Sequence, residues 1–162
     1  MHINWFRRDL RLGDNESVIK ATASNAEVLP CFIIDPWFYQ WKDVGKARVR
    51  FLFECLENLD NSLKKLGSKL YLFEGKSLEI LRKLTRELIQ KSYQPKLYFN
   101  RDVQVEYGVE RDKLIIDYYH QNNLEYHIGL SNFIQPNERR EEWFNEYYNY
   151  QRDTLYPTPT QI

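Results

Sequence analysis

The densest polar chemistry in this chain lies in Trp5-Phe6-Arg7-Arg8-Asp9-Leu10-Arg11-Leu12-Gly13-Asp14-Asn15, directly after a short apolar run. Three arginines and two aspartates fall within eight residues there. Arginine offers a planar fork of donors that matches a carboxylate, so Arg8 or Arg11 can pair with Asp9 or Asp14 and fix the turn by charge-assisted bonds. Such a turn is either an ion-paired cap for the next helix or the polar wall of a ligand pocket. A second constellation is Asn100-Arg101-Asp102, followed by Glu106-Tyr107-Gly108. A carboxylate at the end of a strand is placed to accept hydrogen bonds from a heterocyclic ring or a ribitol chain, the alternative being a solvated turn.

Other chemistries find little support. The six glycines (13, 45, 67, 75, 108 and 129) never come within two positions of one another, so neither a dinucleotide-binding nor a P-loop glycine pattern exists. His120 falls near a helix end and His127 inside an apolar run, and neither has a carboxylate or thiol companion at metal spacing. No GxSxG elbow is present and no Ser/His/Asp order can be argued, so hydrolytic chemistry is unsupported. Cys31 and Cys55 lie in apolar stretches without a CxxC pattern and read as buried reduced thiols. No catalytic residue and no metal ligand is assigned from these patterns.

The elements that must hold the two polar constellations follow from periodicity. Five short apolar runs, Ile3–Phe6, Val28–Ile34, Leu70–Phe73, Leu97–Phe99 and Tyr126–Ile128, are too short for helices and fit strands buried on both faces. Between them lie stretches of helical spacing. Asp14-Asn15 offer N-caps to a short helix with Val18, Ile19 and Ala21. Val49, Leu52, Phe53, Leu56, Leu59, Leu63 and Leu66 form one stripe that ends at Gly67. Leu78, Leu81, Leu84 and Leu88 mark a third helix, roughly 78–90, and Leu114, Ile115 and Tyr118 a fourth, roughly 109–121.

Strand–helix alternation predicts an α/β fold: a doubly wound, Rossmann-like parallel sheet of five strands in the order 3-2-1-4-5, with helices on both faces. Ligands in such sheets sit beyond the carboxyl ends of the strands, near the point where strand order reverses. The segments there are Arg7–Asp14, Asp35–Lys46, Glu74–Ser77, Asn100–Gly108 and Gly129–Gln135. After Gln135 the composition shifts. Pro136-Asn137-Glu138 opens a further helix bearing Trp143, Phe144, Tyr147 and Tyr148, and the prolines of Tyr156-Pro157-Thr158-Pro159-Thr160 end it. The expected division is an α/β domain over 1–134 and an aromatic, proline-containing tail over 135–162.

Composition bounds the function classes. The chain has 162 residues, 23 basic and 23 acidic side chains, and 15% aromatics. Zero formal charge argues against general affinity for nucleic acid or anionic membrane. No apolar run approaches the roughly 20 residues of a membrane span. The N-terminus lacks a signal-peptide layout, so a soluble cytoplasmic protein is the expectation.

The stretch Trp5 through Asn15 (WFRRDLRLGDN) resembles the opening signature of the photolyase/cryptochrome family, WFRRDLRLxDN. Further matches follow in order: Phe32-Ile33-Ile34-Asp35-Pro36, then Ala47-Arg48-Val49-Arg50-Phe51-Leu52-Phe53-Glu54-Cys55-Leu56, then Gly67-Ser68-Lys69-Leu70 leading to Phe73-Glu74-Gly75. Asn100-Arg101-Asp102 with Tyr107-Gly108 and Arg111-Asp112 resembles the family's NRDxxPYxxxRD segment, with Glu106 where the family has proline. Residues from about 2 to about 134 take part, which corresponds to the family's N-terminal α/β domain.

The resemblance implies an antenna domain, which in relatives absorbs light and passes excitation to FAD held in a larger helical domain. Carried over residue by residue, it implies a cofactor-binding wall of Asp9 and Leu10, Ile34, Arg48 and Asp102. In that wall Asp9 and Asp102 accept hydrogen bonds from ring or ribitol groups. Arg48 pairs with a phosphate or ring oxygen, and Ile34 stacks on the ring face. The surroundings of Asn100 favour a deazaflavin or FMN over a folate. FAD is not expected on this chain, which is therefore expected to be non-catalytic alone, although it resembles deoxyribodipyrimidine photolyase. The expected partner is a separate FAD-binding helical-domain chain or a second copy, docked through the aromatic tail. No strong DNA binding is expected without that partner. The alternatives are a chromophore-free interaction module or homodimer, and a nucleotide-binding domain of related architecture.

Overall fold

The computed structural model describes residues 1–23, 26–36, 44–102, 106–130, 140–153 and 155–162. The elements run β1 (His2–Phe6), α1 (Glu16–Thr22), β2 (Val28–Ile34), α2 (Lys46–Lys65), β3 (Tyr71–Glu74), α3 (Ser77–Gln90), β4 (Lys96–Asn100), α4 (Glu106–Gln121), β5 (Glu125–Gly129) and α5 (Arg140–Asp153). The five strands form one sheet in the order β3-β2-β1-β4-β5, and all four pairings are parallel. The predicted topology is therefore present, and the reversal of strand order lies between β1 and β4. The predicted opening of α5 at Pro136 lies outside the described residues.

Alternation along each strand divides the apolar side chains between two layers. One face gathers Ile3, Trp5, Cys31, Ile33, Leu97 and Phe99 against Leu81, Leu84 and Leu88 of α3 and Ile115, Tyr118 and Tyr119 of α4. The other gathers Phe6 and Phe32 against Leu12, Val18 of α1, and Leu56, Leu59 and Leu63 of α2. The three- and four-residue spacing acts as expected on α3; on α2 Leu52, Leu56, Leu59 and Leu63, with Leu66 at its C-cap, reach the cluster, whereas Phe53 of the expected stripe is 42% exposed. Cys31 is buried and its thiol is pushed well up by desolvation, whereas Cys55 is only half-buried; both are free.

Several expectations of burial need correction: Leu114, expected on the inner side of α4, is 56% exposed, and Tyr126–Ile128 of β5 is only half-buried. The third apolar run is not a strand buried on both faces: Tyr71 is 39% exposed and Leu72 48%. It forms β3, one of the two edge strands, which has only β2 beside it. Its hydrophobic sequence therefore does not report full coverage, although Phe73 still packs on the first cluster and Leu70 on the second.

The tail is attached to this body. Beyond α5, Tyr156 accepts a backbone bond from Asp14, and Ile162 packs on the α2-side cluster. On α5 itself the aromatic rings stack along the helix, Trp143 on Tyr147 at 5.2 Å and Phe144 on Tyr148 at 5.7 Å between centroids. These are the i,i+4 neighbours of a helix surface.

Candidate functional site

The loops after β1 and β4 meet at the carboxyl end of the sheet, beside the reversal point. The β1–α1 turn is built around Asn15, which caps α1 by accepting from Val18 N at 3.4 Å. The Asn15 side chain also donates to the carbonyl of Arg11 at 2.9 Å and of Asp9 at 3.2 Å. Asp14 precedes it in the left-handed region, with φ of 48°. Its carbonyl is held by Arg11 Nη2 at 2.9 Å, and the two side chains approach to 3.7 Å. The predicted Arg11–Asp14 pairing is present. Arg8 instead reaches across to Asp102 at 3.5 Å.

Asn100, the last residue of β4, locks this turn to the next strand. Its amide group donates to Asp9 Oδ2 and to Asn15 Oδ1, the latter at 2.8 Å, and its oxygen accepts from Ser17 N at 3.2 Å. Asp9 also accepts from the Arg7 amide at 3.1 Å. Both polar ends of a buried carboxamide are thereby satisfied. Gly129, beside Asn100 in β5, leaves the room, because a Cβ there would collide with the Asn100 oxygen.

A chain of alternating charges runs behind this turn. Arg7 Nη1 meets Asp112 Oδ1 at 2.5 Å, both side chains under 10% exposed, and Arg7 Nη2 donates to the Asn100 carbonyl. Arg111 Nη2 lies 3.3 Å from Asp112 and 3.2 Å from Asp102, and the Asp102 amide donates to Asp112 at 3.2 Å. Burial lowers the Arg7 pKa from its usual value, and Asp112 opposes the shift. The indole of Trp5 lies beneath two guanidiniums, Arg7 at 4.7 Å and Arg111 at 5.0 Å from the ring centroid.

Two buried donors in this cluster find no acceptor among the described residues, Trp5 Nε1 and Arg111 Nε. A buried donor without a partner forfeits on the order of 1–3 kcal/mol, so an acceptor supplied to either would be favourable. Close by, Tyr107 donates to Asp35 at 2.6 Å and joins the end of β2 to the start of α4. Burial, followed by the Asp35 hydrogen bond, raises the Tyr107 phenol to about 12. Ultraviolet titration should therefore find a late-ionising tyrosine that moves down in Asp35→Asn; a tyrosine that ionises in the normal range would show that the bond is not made. The sign is that of a raised pKa, so the stability it supports is intact below pH about 10 and declines as pH rises towards 12.

The wall residues read from sequence are only partly brought together. Asp9 and Asp102 lie at the same end, on neighbouring loops, each engaged with side chains of the chain itself. Leu10 and Ile34 are half-buried against the α2-side cluster. Arg48 is exposed in the first turn of α2, its amide bonded to the Gly45 carbonyl at 2.9 Å. Residues 37–43, 103–105 and 131–135 of the candidate loops lie outside the described residues. Sequence reading passed over Asn15 and Asn100 as ligand-shaping groups and over Trp5 and Arg111 as donors. Glu16 was also missed; it accepts from the Leu130 amide at 2.8 Å and contacts His127 Nε2 at 3.0 Å.

Comparison with known proteins agrees with this fold. The model of the DNA photolyase family matches residues 2–149. Cryptochrome-2 of Gallus gallus is 36% identical over 137 residues, which cover 85% of this chain and 23% of that protein. The deoxyribodipyrimidine photo-lyase of a Synechococcus strain is 35% identical over 108 residues, covering 67% of this chain and 21% of its own length. The chain thus spans less than a quarter of these curated relatives. Among solved structures, a cryptochrome of Synechocystis superposes over 100% of the chain and 36% of its own, with TM-score 0.83 and 18% identity. An archaeal photolyase from Sulfolobus tokodaii, described with two FAD molecules and the implication of a novel light-harvesting cofactor, covers 99% of the chain and 37% of its own, with TM-score 0.74 and 25% identity.

Proposed function

Since this chain belongs to the DNA photolyase family and has the fold of its N-terminal α/β domain, we propose that it holds an antenna chromophore at the carboxyl end of the sheet. The observation that carries this reading is the pair of buried donors without an acceptor among the described residues, Trp5 Nε1 and Arg111 Nε, the second on the guanidinium that pairs with Asp102. A flavin or deazaflavin ring offers carbonyl acceptors for such donors, and its ring N–H or ribitol hydroxyls offer donors for Asp102. When bound, the chromophore would supply light absorption; the residues of this chain supply orientation and exclusion of water. The archaeal relative with two FAD molecules supports a flavin-type ligand. FMN or a deazaflavin is favoured over a folate, with Asp9, Leu10, Ile34, Arg48 and Asp102 as the candidate wall.

The excitation acceptor would be FAD in a helical domain, whether on a separate chain or further along a longer one, and the assembly would carry out light-dependent DNA repair or signalling. The aromatic face of α5 is a candidate docking surface for that partner or for a second copy. DNA affinity of this α/β domain by itself is expected to be weak and strongly salt-dependent.

Fluorescence titration of the purified chain with FMN, a 5-deazaflavin and a folate tests the reading. Saturable binding of one of the first two, weakened at least 10-fold by Asp102→Ala in a variant of native circular dichroism, is the expected result. No saturation with any of the three would remove it. The second reading, a chromophore-free interaction domain, is favoured by the internal engagement of Asp9 and Asp102, and that outcome would select it.

A further inference from the structure

We propose that residues 155–162 form a strap that fixes the β1–α1 turn, and through it Asp9, which makes the tail a positioning element of the carboxyl-end site. Three separate contacts carry this. The Tyr156 carbonyl accepts from the Asp14 amide at 2.8 Å. Thr158 lies over Gly13 so closely that a Cβ on Gly13 would fall 2.7 Å from its hydroxyl oxygen. Ile162 packs on the cluster of Phe6, Leu12 and Leu63, with its amide 3.5 Å from the Leu66 carbonyl at the end of α2.

The strap touches the turn at its most demanding residue. Asp14 is left-handed, a conformation that L-residues adopt at a cost, and it is held from both sides: its carbonyl by Arg11 and its amide by Tyr156. The next residue, Asn15, must then point inward to cap α1, accept from Asn100 and hold the Asp9 carbonyl. Release of Asp14 would therefore loosen Asn15, and with it the bonds that orient Asp9. Pro157 and Pro159 restrict the segment in the unfolded chain and reduce the entropy lost when it seats. The inference concerns the protein's own geometry and holds whether or not a chromophore binds.

Amide hydrogen exchange on the full chain tests it. The Asp14 amide reports the strap, the Arg7 amide reports Asp9, and the Ser17 amide reports Asn100. In the native chain Asp14 should exchange at least 10-fold more slowly than an unstructured amide. Ile162→Asp, which sets a carboxylate on the apolar cluster, should speed exchange at Asp14, Arg7 and Ser17 at least 10-fold. Amides within β4 should change less than 2-fold. Leu155→Asp places the same charge on the same tail at a side chain that is 82% exposed, and should leave all three amides within 2-fold. Unprotected Asp14 in the native chain, or equal exchange in the two variants, would overturn the proposal. Should Ile162→Asp fail to fold, the native Asp14 value still decides.

Discussion

Replacing Asp112 with alanine should lower the unfolding free energy by about 3–5 kcal/mol, the loss typical of a buried pair stripped of one partner. Arg7 and Asp112 are both almost excluded from water, at 8% and 9% side-chain exposure. The guanidinium would keep the Asn100 carbonyl but lose its counter-charge, and Arg111 stands close enough to repel it. The Asp102 amide would also lose its acceptor. Asp112→Asn preserves an acceptor but not the charge, and should cost less. As a contrast, Arg50–Glu54 is a 2.8 Å pair with both side chains over half exposed, and Arg50→Ala should change stability by less than about 0.5 kcal/mol. Urea denaturation followed by circular dichroism measures all three. A loss below 1 kcal/mol (roughly the surface-pair range) for Asp112→Ala would mean that the charge chain is not structural.

Asn100→Ala is the second large effect, on the order of 3 kcal/mol, because it strips a donor from Asp9 and leaves the buried Ser17 amide without its acceptor. Asp9 would lose the amide that clamps it to β4, and Ser17 N at the first turn of α1 would lose its acceptor. For a chain of this size that corresponds to a fall in Tm of about 6–12 °C. The turn should loosen with it, because Asn15 would lose the donor at 2.8 Å that ties it to the neighbouring strand. Calorimetry checks the first consequence and exchange at Arg7 and Ser17 the second. A melting point within 1 °C of the parent (roughly the scatter of such scans) would show that Asn100 is replaceable by water.

The fold was legible because its signal is repeated. Five short apolar runs, separated by helical stripes such as Leu56–Leu59–Leu63, leave few arrangements other than a parallel sheet with helices on both sides. Coverage of β3 was not legible, since Leu70–Phe73 has the same composition at an edge as in the centre. The site was legible in location but less so in its wiring. Proximity in sequence exposed Arg11–Asp14, three residues apart, yet it could not expose Arg7–Asp112 or Asn100–Asp9, which arise only when β1 and β4 lie side by side. Arg48 was named through resemblance alone, and nothing in the periodicity of α2 tells whether an arginine in its first turn faces the loops or solvent; it is exposed.

The position of His2–Phe6 at the middle of the sheet also affects how the protein is made. Of the five strands this one is synthesised before the rest; it gains a neighbour on one flank when Val28–Ile34 appears, but its other flank stays open until Lys96–Asn100 follows. Throughout that interval a nascent polypeptide would carry Ile3 and Trp5 without the α4 layer that later covers them. Pairings that wait for distant segments fold slowly and expose sticky surface meanwhile. Premature termination anywhere before β4 would thus yield not a smaller version of the domain but an open half-sheet, prone to associate with other incomplete chains.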